Sequence, residues 1–241
     1  MKRLIRSISI LLCCLAAAPA LAAGAAQQAA KTCATEANPD SRIAACSKFL
    51  ATNPKQNANL AWVFIARGNA YFTKGQLDKS LKDYDSAVRL DPKAIAALAN
   101  RGTLHMALGQ TDQALADYNA ALQINPKYAN GYNLRGLVYS RTGQVDKAIE
   151  DYTNAIKSDP KFSDAYNDRG YAYYTSKKYD LALADFDAAT KLTPGAPLPF
   201  YMRSLTYRQL GNKAQADQDL ARARKIDPQI DKTMKDLGVL D

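Results

Sequence analysis

A 34-residue period runs through most of this chain and constrains its fold more than any other feature. Glycine, proline, arginine and aspartate each recur at this spacing, in registers that run in step. The registers are Gly68, Gly102, Gly136 and Gly170; Pro92, Pro126, Pro160, Pro194 and Pro228; Arg67, Arg101, Arg135, Arg169 and Arg203; and Asp83, Asp117, Asp151, Asp185 and Asp219. A period of this length predicts helical repeats, each of which buries its apolar face against its neighbours instead of in one central core.

Each repeat has the pattern of two helices joined by a tight turn. In the first repeat, Gly68 and Tyr71 belong to one helix, Gly75 to the turn and Tyr84 to the second helix. Pro92 closes the unit, because proline lacks the backbone N–H and disfavours helical geometry in the residue before it. Small and large residues alternate in the same way in the later repeats. The sequence therefore predicts an all-α chain of helix hairpins.

This pattern resembles the tetratricopeptide repeat family, in which W-x2-L-G-x2-Y, then A-x3-F, then A and P recur every 34 residues. The chain departs from that pattern at the arginine before each glycine, at His105 in a tyrosine position, at Ser204 in a glycine position and at Lys177 in a turn-glycine position. The resemblance implies a right-handed α-solenoid of about five helix-turn-helix repeats. We place these repeats at residues 61–94, 95–128, 129–162, 163–196 and 197–230, within 58–230, with an N-terminal helical hairpin at 23–57 and a C-terminal capping helix at 231–241.

The first residues carry the features of an export signal. Basic residues precede an apolar run, and the small-residue pattern Ala20-Leu21-Ala22 follows it. A membrane anchor is the alternative, but the run is shorter than the roughly 20 apolar residues that cross a bilayer as a helix. We expect residues 1–22 to be a cleaved signal peptide, which leaves no membrane span and makes the mature protein periplasmic or secreted.

The cysteines fall into two pairs. Cys13 and Cys14 raise a lipoprotein alternative, but neither follows the small residue that lipid-attachment signals usually carry. Cys33 and Cys46 lie symmetrically about the turn signal at residues 38–40, so an antiparallel helical hairpin would bring them to the same level. An even cysteine count in an exported chain favours a disulfide. We predict a structural Cys33–Cys46 bridge rather than a redox-active or metal-binding pair, because the Cys-x-x-Cys spacing is absent.

The charge of the chain gives little support to a nucleic-acid partner. Loss of the signal peptide removes three basic residues and lowers the formal net charge from +9 to +6. The basic residues are spread over every repeat, and five of them are the periodic arginines, so no single-sign patch is expected. A weak attraction to acidic partners stays open for the helix face that carries Arg222, Arg224 and Lys225. Stacking of bases on Tyr171, Tyr174 and Tyr201 is the other alternative.

The sequence offers no group for catalysis. His105 is the single histidine and stands in a packing position of its repeat, where we expect a satisfied core residue. Neither a glycine-rich phosphate loop nor a metal-ligand cluster nor a nucleophile motif occurs. We therefore expect no enzyme activity, no metal and no cofactor.

The arginine and aspartate registers are symmetric about the turn of each repeat. Arg67 and Asp83, for example, are equally far from Gly75, so each should face the other across its hairpin. We predict a partly buried salt bridge at every such pair, within a repeat or between neighbours. A stripe of arginines for an anionic ligand is the alternative, but it would require the aspartates to point elsewhere.

The surface that changes from repeat to repeat is where a partner should bind. In the tetratricopeptide repeat family the first helices line a concave groove, and carrying this over by position assigns it side chains that are apolar at one end and rich in amides in the middle. Asp164 and Asp168 fall on the same face. The groove residues we single out are Trp62, Ile65, Asn69, Phe72, Asn100, Thr103, Asn130, Asn133, Leu137, Asn167, Tyr171, Tyr174 and Tyr201.

Such a surface suits an extended polypeptide, since asparagine both donates and accepts hydrogen bonds and aromatic rings can receive side chains. The family's clamp for a C-terminal carboxylate is not expected, because Ile65, Asn130 and Leu134 stand where its basic residues would be. We therefore expect a protein-binding or peptide-binding scaffold in the cell envelope. The alternative is an array that self-assembles into homo-oligomers through its terminal helices, for which the polar Lys232, Lys235 and Asp236 of the cap are unfavourable.

Overall fold

The computed structural model describes residues 27–53 and 57–236. The expected signal peptide, with Cys13 and Cys14, and the last five residues of the expected cap lie outside this part of the chain. The chain divides into two compact units between Gln110 and Thr111, and each unit is described by itself. This boundary falls inside the second of the repeats expected from the sequence.

The first unit consists of short helices in consecutive contact. Helix α1 covers residues 27–35, and α2 follows after a short turn whose Asn38 side chain caps it by accepting from the backbone N–H of Ser41. Each later helix contacts the one before it, and α5 also reaches back to α3. The elements after α1 are α2 (Pro39–Thr52), a 3-10 turn (Ala58–Leu60), α3 (Ala61–Thr73), α4 (Leu77–Leu90) and α5 (Ile95–Ala107).

The second unit is a stack of antiparallel hairpins. The pairs α7 and α8, α9 and α10, and α11 and α12 form the hairpins, and α13 lies across the last of them. The described ranges contain no β-strand, so the predicted all-α class is confirmed. None of the helices in these ranges is long and apolar enough to cross a membrane. The elements are α6 (Thr111–Ile124), α7 (Ala129–Arg141), α8 (Val145–Ser158), α9 (Ser163–Thr175), α10 (Tyr179–Leu192), α11 (Pro197–Gln209), α12 (Lys213–Ile226) and α13 (Ile230–Asp236).

Each hairpin closes on a residue with a positive φ. Gly75, Gly109, Gly143 and Gly211 have φ between 68° and 77°, in the left-handed region that glycine adopts without a steric penalty. Lys177 takes the same position in the α9–α10 hairpin with φ 59°. The sequence-based expectation that Lys177 replaces a turn glycine is therefore confirmed, and its backbone is strained.

The helices of a hairpin approach most closely where the periodic glycine meets the aromatic residue of the second helix. A Cβ added to Gly136 would lie 2.7 Å from Cε1 of Tyr152, and one added to Gly170 would lie 2.8 Å from Cε1 of Phe186. The aromatic ring packs on the glycine of its own hairpin, because only a residue without a side chain leaves room for the ring.

The last hairpin replaces both members of this contact. Ser204 stands in the glycine position and is fully buried, with its hydroxyl donating to the carbonyl oxygen of Tyr201 at 2.7 Å. The facing position of α12 holds Leu220 instead of an aromatic ring. The smaller branched side chain leaves the space that the serine Cβ needs.

A disulfide joins α1 to α2 in the first unit. Cys33 and Cys46 are bonded, their Cα atoms are 4.7 Å apart and both are fully buried. They form a cluster with Leu60 and Val63, so the bridge is part of the apolar core at this end of the chain. The predicted disulfide-linked helical hairpin is confirmed.

Arginine and aspartate side chains join the helices across each described hairpin. The guanidinium donates two parallel hydrogen bonds of 2.6–2.8 Å to the facing carboxylate, which is buried. Such two-point contacts fix both distance and orientation. Arg101 forms an ion pair with Asp85 inside the first unit. The pairs across one hairpin are Arg67 with Asp83, Arg135 with Asp151, Arg169 with Asp185 and Arg203 with Asp219.

The same arginines also reach a polar residue on the second helix of the hairpin before. Arg135 donates to Asn119 Oδ1 at 2.6 Å, Arg169 to Thr153 Oγ1 at 3.0 Å and Arg203 to Asp187 Oδ1 at 2.8 Å. Two rings flank each of these guanidinium groups except that of Arg203, which has Phe200 beside it. Each of these arginines therefore connects its own hairpin to the helix before it within a unit. This double contact explains why arginine recurs at this position of the repeat.

Helix α13 covers the last hairpin. Ile230 and Met234 are buried against Tyr201 and Met202, while the opposite face of the helix is exposed. Arg224 of α12 holds the start of α13 through an ion pair with Asp231, in which its Nε lies 2.7 Å from Oδ2. The described part of the cap thus presents its polar side chains outward.

Candidate binding site

In the first unit, the first helices α3 and α5 are neighbours and border a small cavity. The Asn69 Oδ1 atom accepts a hydrogen bond of 2.7 Å from the hydroxyl of Tyr84 and one of 2.8 Å from Nδ2 of Asn100. These bonds fix the amides of Asn69 and Asn100 side by side on the surface. The cavity has a volume of about 210 Å³ and is lined by Asn69, Phe72, Thr73, Tyr84, Asn100 and Thr103.

A larger cavity lies in the second unit, where α7, α9 and the start of α11 meet. Its volume is about 450 Å³, and its wall combines apolar side chains with amides and carboxylates. The loop before α9 and the loop before α11 complete the wall. The lining residues are Asn130, Asn133, Leu134, Leu137, Phe162, Ser163, Asp164, Asn167, Asp168, Thr193, Ala196, Leu198 and Pro199.

The polar part of this cavity is centred on Asp168. Its Oδ2 atom accepts a hydrogen bond of 2.9 Å from Nδ2 of Asn133, which is only 4% exposed. Burial raises the pKa of Asp168 to about 6, the hydrogen bond from Asn133 opposes the rise and the charge of Asp164 adds to it. A carboxylate in this setting is ionised at neutral pH at a cost in folding free energy.

The two cavities account for eight of the groove residues expected from the sequence. Asn69, Phe72, Asn100 and Thr103 line the cavity of the first unit, and Asn130, Asn133, Leu137 and Asn167 line that of the second. The remaining five lie outside both cavities. These are Trp62, Ile65, Tyr171, Tyr174 and Tyr201.

Two of these five present exposed rings. Trp62 and Tyr171 are each 38% exposed, and Trp62 rests against Phe49 with ring centroids 6.0 Å apart. Tyr174 is half-buried, with its ring 5.7 Å from that of Tyr179. The expectation that Tyr201 is exposed is wrong, because α13 covers it and leaves 2% of it accessible.

Parts of the larger cavity lie outside the helix faces and were not predicted from the sequence. Phe162 and Thr193 belong to the loops before α9 and α11, and Leu198 and Pro199 to the first turn of α11. A signal for the polar centre was present in the period. The other repeats hold Ala66, Asn100, Leu134 and Met202 at this register, so Asp168 is its one charged residue.

The geometry offers little to reaction chemistry. Within residues 27–53 and 57–236, no group of three or more histidine, cysteine, aspartate or glutamate side chains is placed to hold a metal ion. We expected His105 to be a core residue, but it is only half-buried. Its Nδ1 atom lies 2.6 Å from Oε1 of Gln110.

Three family models match the chain, and each describes a tetratricopeptide repeat. One matches residues 68–109 and 104–143, one matches 133–197 and one matches 199–230. No protein with curated annotation matches the sequence. The matched segments together run from the middle of α3 to the residues after α12.

Solved structures share this fold at low sequence identity. A tetratricopeptide repeat protein from Parabacteroides merdae is 22% identical with a TM-score of 0.68, and the match covers 84% of this chain and 80% of that one. YrrB, described as a TPR protein with an unusual peptide-binding site, is 23% identical with a TM-score of 0.56, covering 76% and 92%. MamA from Desulfovibrio magneticus is 15% identical with a TM-score of 0.60, covering 70% and 96%. All three family models that match are tetratricopeptide repeat models, and the solved structures share the fold. The chain therefore belongs to the tetratricopeptide repeat family.

Proposed function

We propose that this protein is a non-enzymatic scaffold of the cell envelope that binds an extended polypeptide segment on the surface formed by its first helices. The observation that carries this proposal is the cavity of about 450 Å³ between α7, α9 and α11. Its amides and carboxylates lie beside apolar walls, which is the combination that a peptide requires. Main-chain groups of the peptide need donors and acceptors, and its side chains need pockets.

The first unit supplies a second stretch of the same kind of surface. Asn69 and Asn100 are held side by side by hydrogen bonds, so their amides are fixed before a partner arrives. Preorganised groups lose less conformational entropy on binding than mobile ones do. Trp62 and Tyr171 provide exposed aromatic area, one in each unit, and aromatic residues are enriched among those that dominate binding energy.

The fold shared with a peptide-binding protein supports this proposal. A peptide-binding site is a described property of YrrB, whose fold this chain shares. The likeness concerns the backbone, whereas the residues that would select a partner are those of this chain.

Location in the envelope is part of the proposal. The buried Cys33–Cys46 disulfide suits an oxidising compartment, because cytosolic proteins rarely keep structural disulfides. The signal-like sequence of residues 1–22 points the same way.

The self-assembling array was the alternative. The described part of α13 buries Ile230 and Met234 inward and exposes Lys232 and Lys235. Polar outer faces of this kind seal the end of a repeat array and keep copies apart. This observation favours the scaffold over the array.

A peptide selection tests the scaffold proposal. Random peptides displayed on phage are selected on the mature protein. The enriched peptides are then measured against the double variant Asn130→Ala, Asn167→Ala, whose residues line the cavity, and against Arg141→Ala, an exposed residue at the end of α7. We expect affinity to fall at least tenfold in the double variant and to be unchanged in the control, with equal melting temperatures. Peptides that bind all three forms equally, or chains that only associate with themselves in light scattering, would count against the proposal.

A further inference from the structure

Asp168 differs from the aspartates of the ion pairs in what it faces. Asp151, Asp185 and Asp219 each receive two hydrogen bonds from an arginine across their hairpin. Asp168 receives a hydrogen bond from the neutral amide of Asn133, and no cation of the described residues lies within ion-pair distance of it. Its carboxylate is therefore a desolvated negative charge without a counter-ion in its own unit.

Two asparagine amides near Asp168 have oxygen atoms that accept no hydrogen bond. The Oδ1 atoms of Asn133 and Asn167 are buried and have no hydrogen-bond donor within the described ranges. Burying an acceptor without a donor costs about 1–3 kcal/mol, so such atoms are rare unless a ligand or water completes them. Asn133 is only 4% exposed and therefore 96% buried. Both asparagines line the cavity.

The charged groups around the cavity have the same sign. Asp164 lies one turn before Asp168 on α9, and Tyr152 of α8 is close enough for the Asp168 charge to contribute to its raised pKa. The lining supplied by α11 and the loop before it holds no charged side chain. A chain whose formal net charge is positive thus builds an acidic cavity here.

The walls argue for an organic cation over a bare metal ion. Leu134, Leu137 and Phe162 line the cavity beside the polar centre, and Leu198 and Pro199 close it from α11. Lysine and arginine carry their charge at the end of an aliphatic stem that packs on apolar surface. Their N–H groups also supply donors, which the two buried unpaired atoms of the described lining, Asn133 Oδ1 and Asn167 Oδ1, lack.

We propose that the cavity between α7, α9 and α11 is a specificity pocket for a lysine or arginine side chain of the bound polypeptide. The charged head lies between Asp168 and the Oδ1 atoms of Asn133 and Asn167, and the stem lies along Leu134 and Leu137. This inference rests on the proposed function, and it adds which residue type the partner must present.

The test uses short peptides in place of the unidentified partner. Pentapeptides of sequence Ala-Ala-X-Ala-Ala, acetylated and amidated at their ends, carry lysine, arginine, norleucine or glutamate at X, and a fifth peptide has norleucine and a free amino terminus. Binding to the full mature chain is followed by NMR through the side-chain amides of Asn133 and Asn167. Norleucine keeps the stem of lysine and removes its charge.

We expect the lysine and arginine peptides to bind at least tenfold more tightly than the norleucine peptide and to shift both amides. Asp168→Asn should abolish this preference. Asp146→Asn, which removes an equal charge from an exposed position on α8, should keep it.

Three results would overturn the inference. Equal binding of lysine and norleucine peptides would show that the pocket does not recognise the positive charge of the side chain. The scaffold proposal would be unaffected. Equal binding of the free amino terminus, or the same amide shifts with calcium chloride alone, would show that the pocket takes another cation. Shifts of neither amide with any peptide, and none elsewhere on the first helices, would remove both proposals.

Discussion

Arg135 and Asp151 form a two-point ion pair across the α7–α8 hairpin, with both hydrogen bonds at 2.7 Å and the carboxylate only 3% exposed. The same guanidinium donates to Asn119 on the helix before and lies between the rings of Tyr132 and Tyr139. The pair therefore fixes the position of three helices at one point. Asp168 has no such cationic partner among the described residues. The contrast shows that the arginines act elsewhere as counter-ions for buried carboxylates.

Removing the guanidinium should destabilise the protein strongly. We expect Arg135→Met to lower the free energy of unfolding by about 3 kcal/mol or more, because Asp151 would stay buried without its counter-ion. Chemical denaturation followed by circular dichroism measures this loss. The matched change Arg141→Met, at the exposed end of the same helix, should cost less than about 0.5 kcal/mol. A loss no greater than that of the control would show that the ion pair is not structural.

Neutralising Asp168 should have the opposite effect. The pKa of Asp168 in the folded protein, about 6, lies above the ordinary aspartate value near 4, so the folded state keeps a proton that the unfolded state releases. The ionised carboxylate therefore costs stability above pH 6, and this cost vanishes as the pH falls toward 4. We expect Asp168→Asn to raise the free energy of unfolding by about 3 kcal/mol at pH 7.5 and by nearly nothing at pH 4.

The comparison of melting temperatures over this pH range tests that expectation. Asp146→Asn serves as the control, since it removes an exposed carboxylate from the first turn of α8, where negative charge is favourable. It should be neutral or slightly destabilising throughout. If Asp168→Asn shows no gain at pH 7.5, the carboxylate is already compensated.

The contact between Gly136 and Tyr152 predicts a coupled pair of substitutions. Gly136→Ala places a Cβ at 2.7 Å from the ring, and relieving that overlap should cost about 1–3 kcal/mol. Tyr152→Leu places leucine opposite position 136, as Leu220 stands opposite the small Ser204 in the last hairpin. We expect the double variant to be at least 1 kcal/mol more stable than the sum of the two single changes predicts, as measured in a double-mutant cycle. Additive losses would mean that the ring moves aside freely.

The strained turn at Lys177 offers a stabilising change. Lys177→Gly should raise the free energy of unfolding by roughly 0.5–1 kcal/mol, because glycine adopts the positive φ without a steric penalty. Lys191→Gly, in the last turn of α10, removes the same side chain where φ is helical and should cost about as much. Thermal unfolding of both variants separates backbone strain from loss of charge, and a loss of stability in Lys177→Gly would contradict the strain.

Much of the fold could be predicted because the same residues recur. Gly136 indicates a close approach of two helices, and Pro160 indicates the end of a helix. The pair Cys33 and Cys46 indicates a disulfide. The glycine and proline signals recur every 34 residues, which strengthens the prediction. The end of the array was harder to predict. Tyr201 occupies a groove register, but it is buried by a helix that follows the last repeat, and no pattern within one repeat reveals this.

The candidate site was predicted as a face but not as a cavity. The register of the first helices identifies Asn133, Asn167 and Asp168 as neighbours on one surface. It does not show that Asn133 bonds to Asp168, or that Phe162 and Leu198 wall them in, because loops and helix starts from two hairpins create that enclosure. A period describes each repeat equally well, whereas a binding site arises where one repeat differs.

Site-specific photo-crosslinking in cells tests the central claim most directly. Tyr171, on the first helix α9, and Leu181, a 50% exposed residue on the second helix α10, are each replaced in turn by p-benzoylphenylalanine. We expect irradiation to give adducts with another polypeptide at Tyr171 and none at Leu181. Adducts at Leu181 alone, or adducts at Tyr171 that contain only a second copy of this chain, would contradict a partner bound on the first helices.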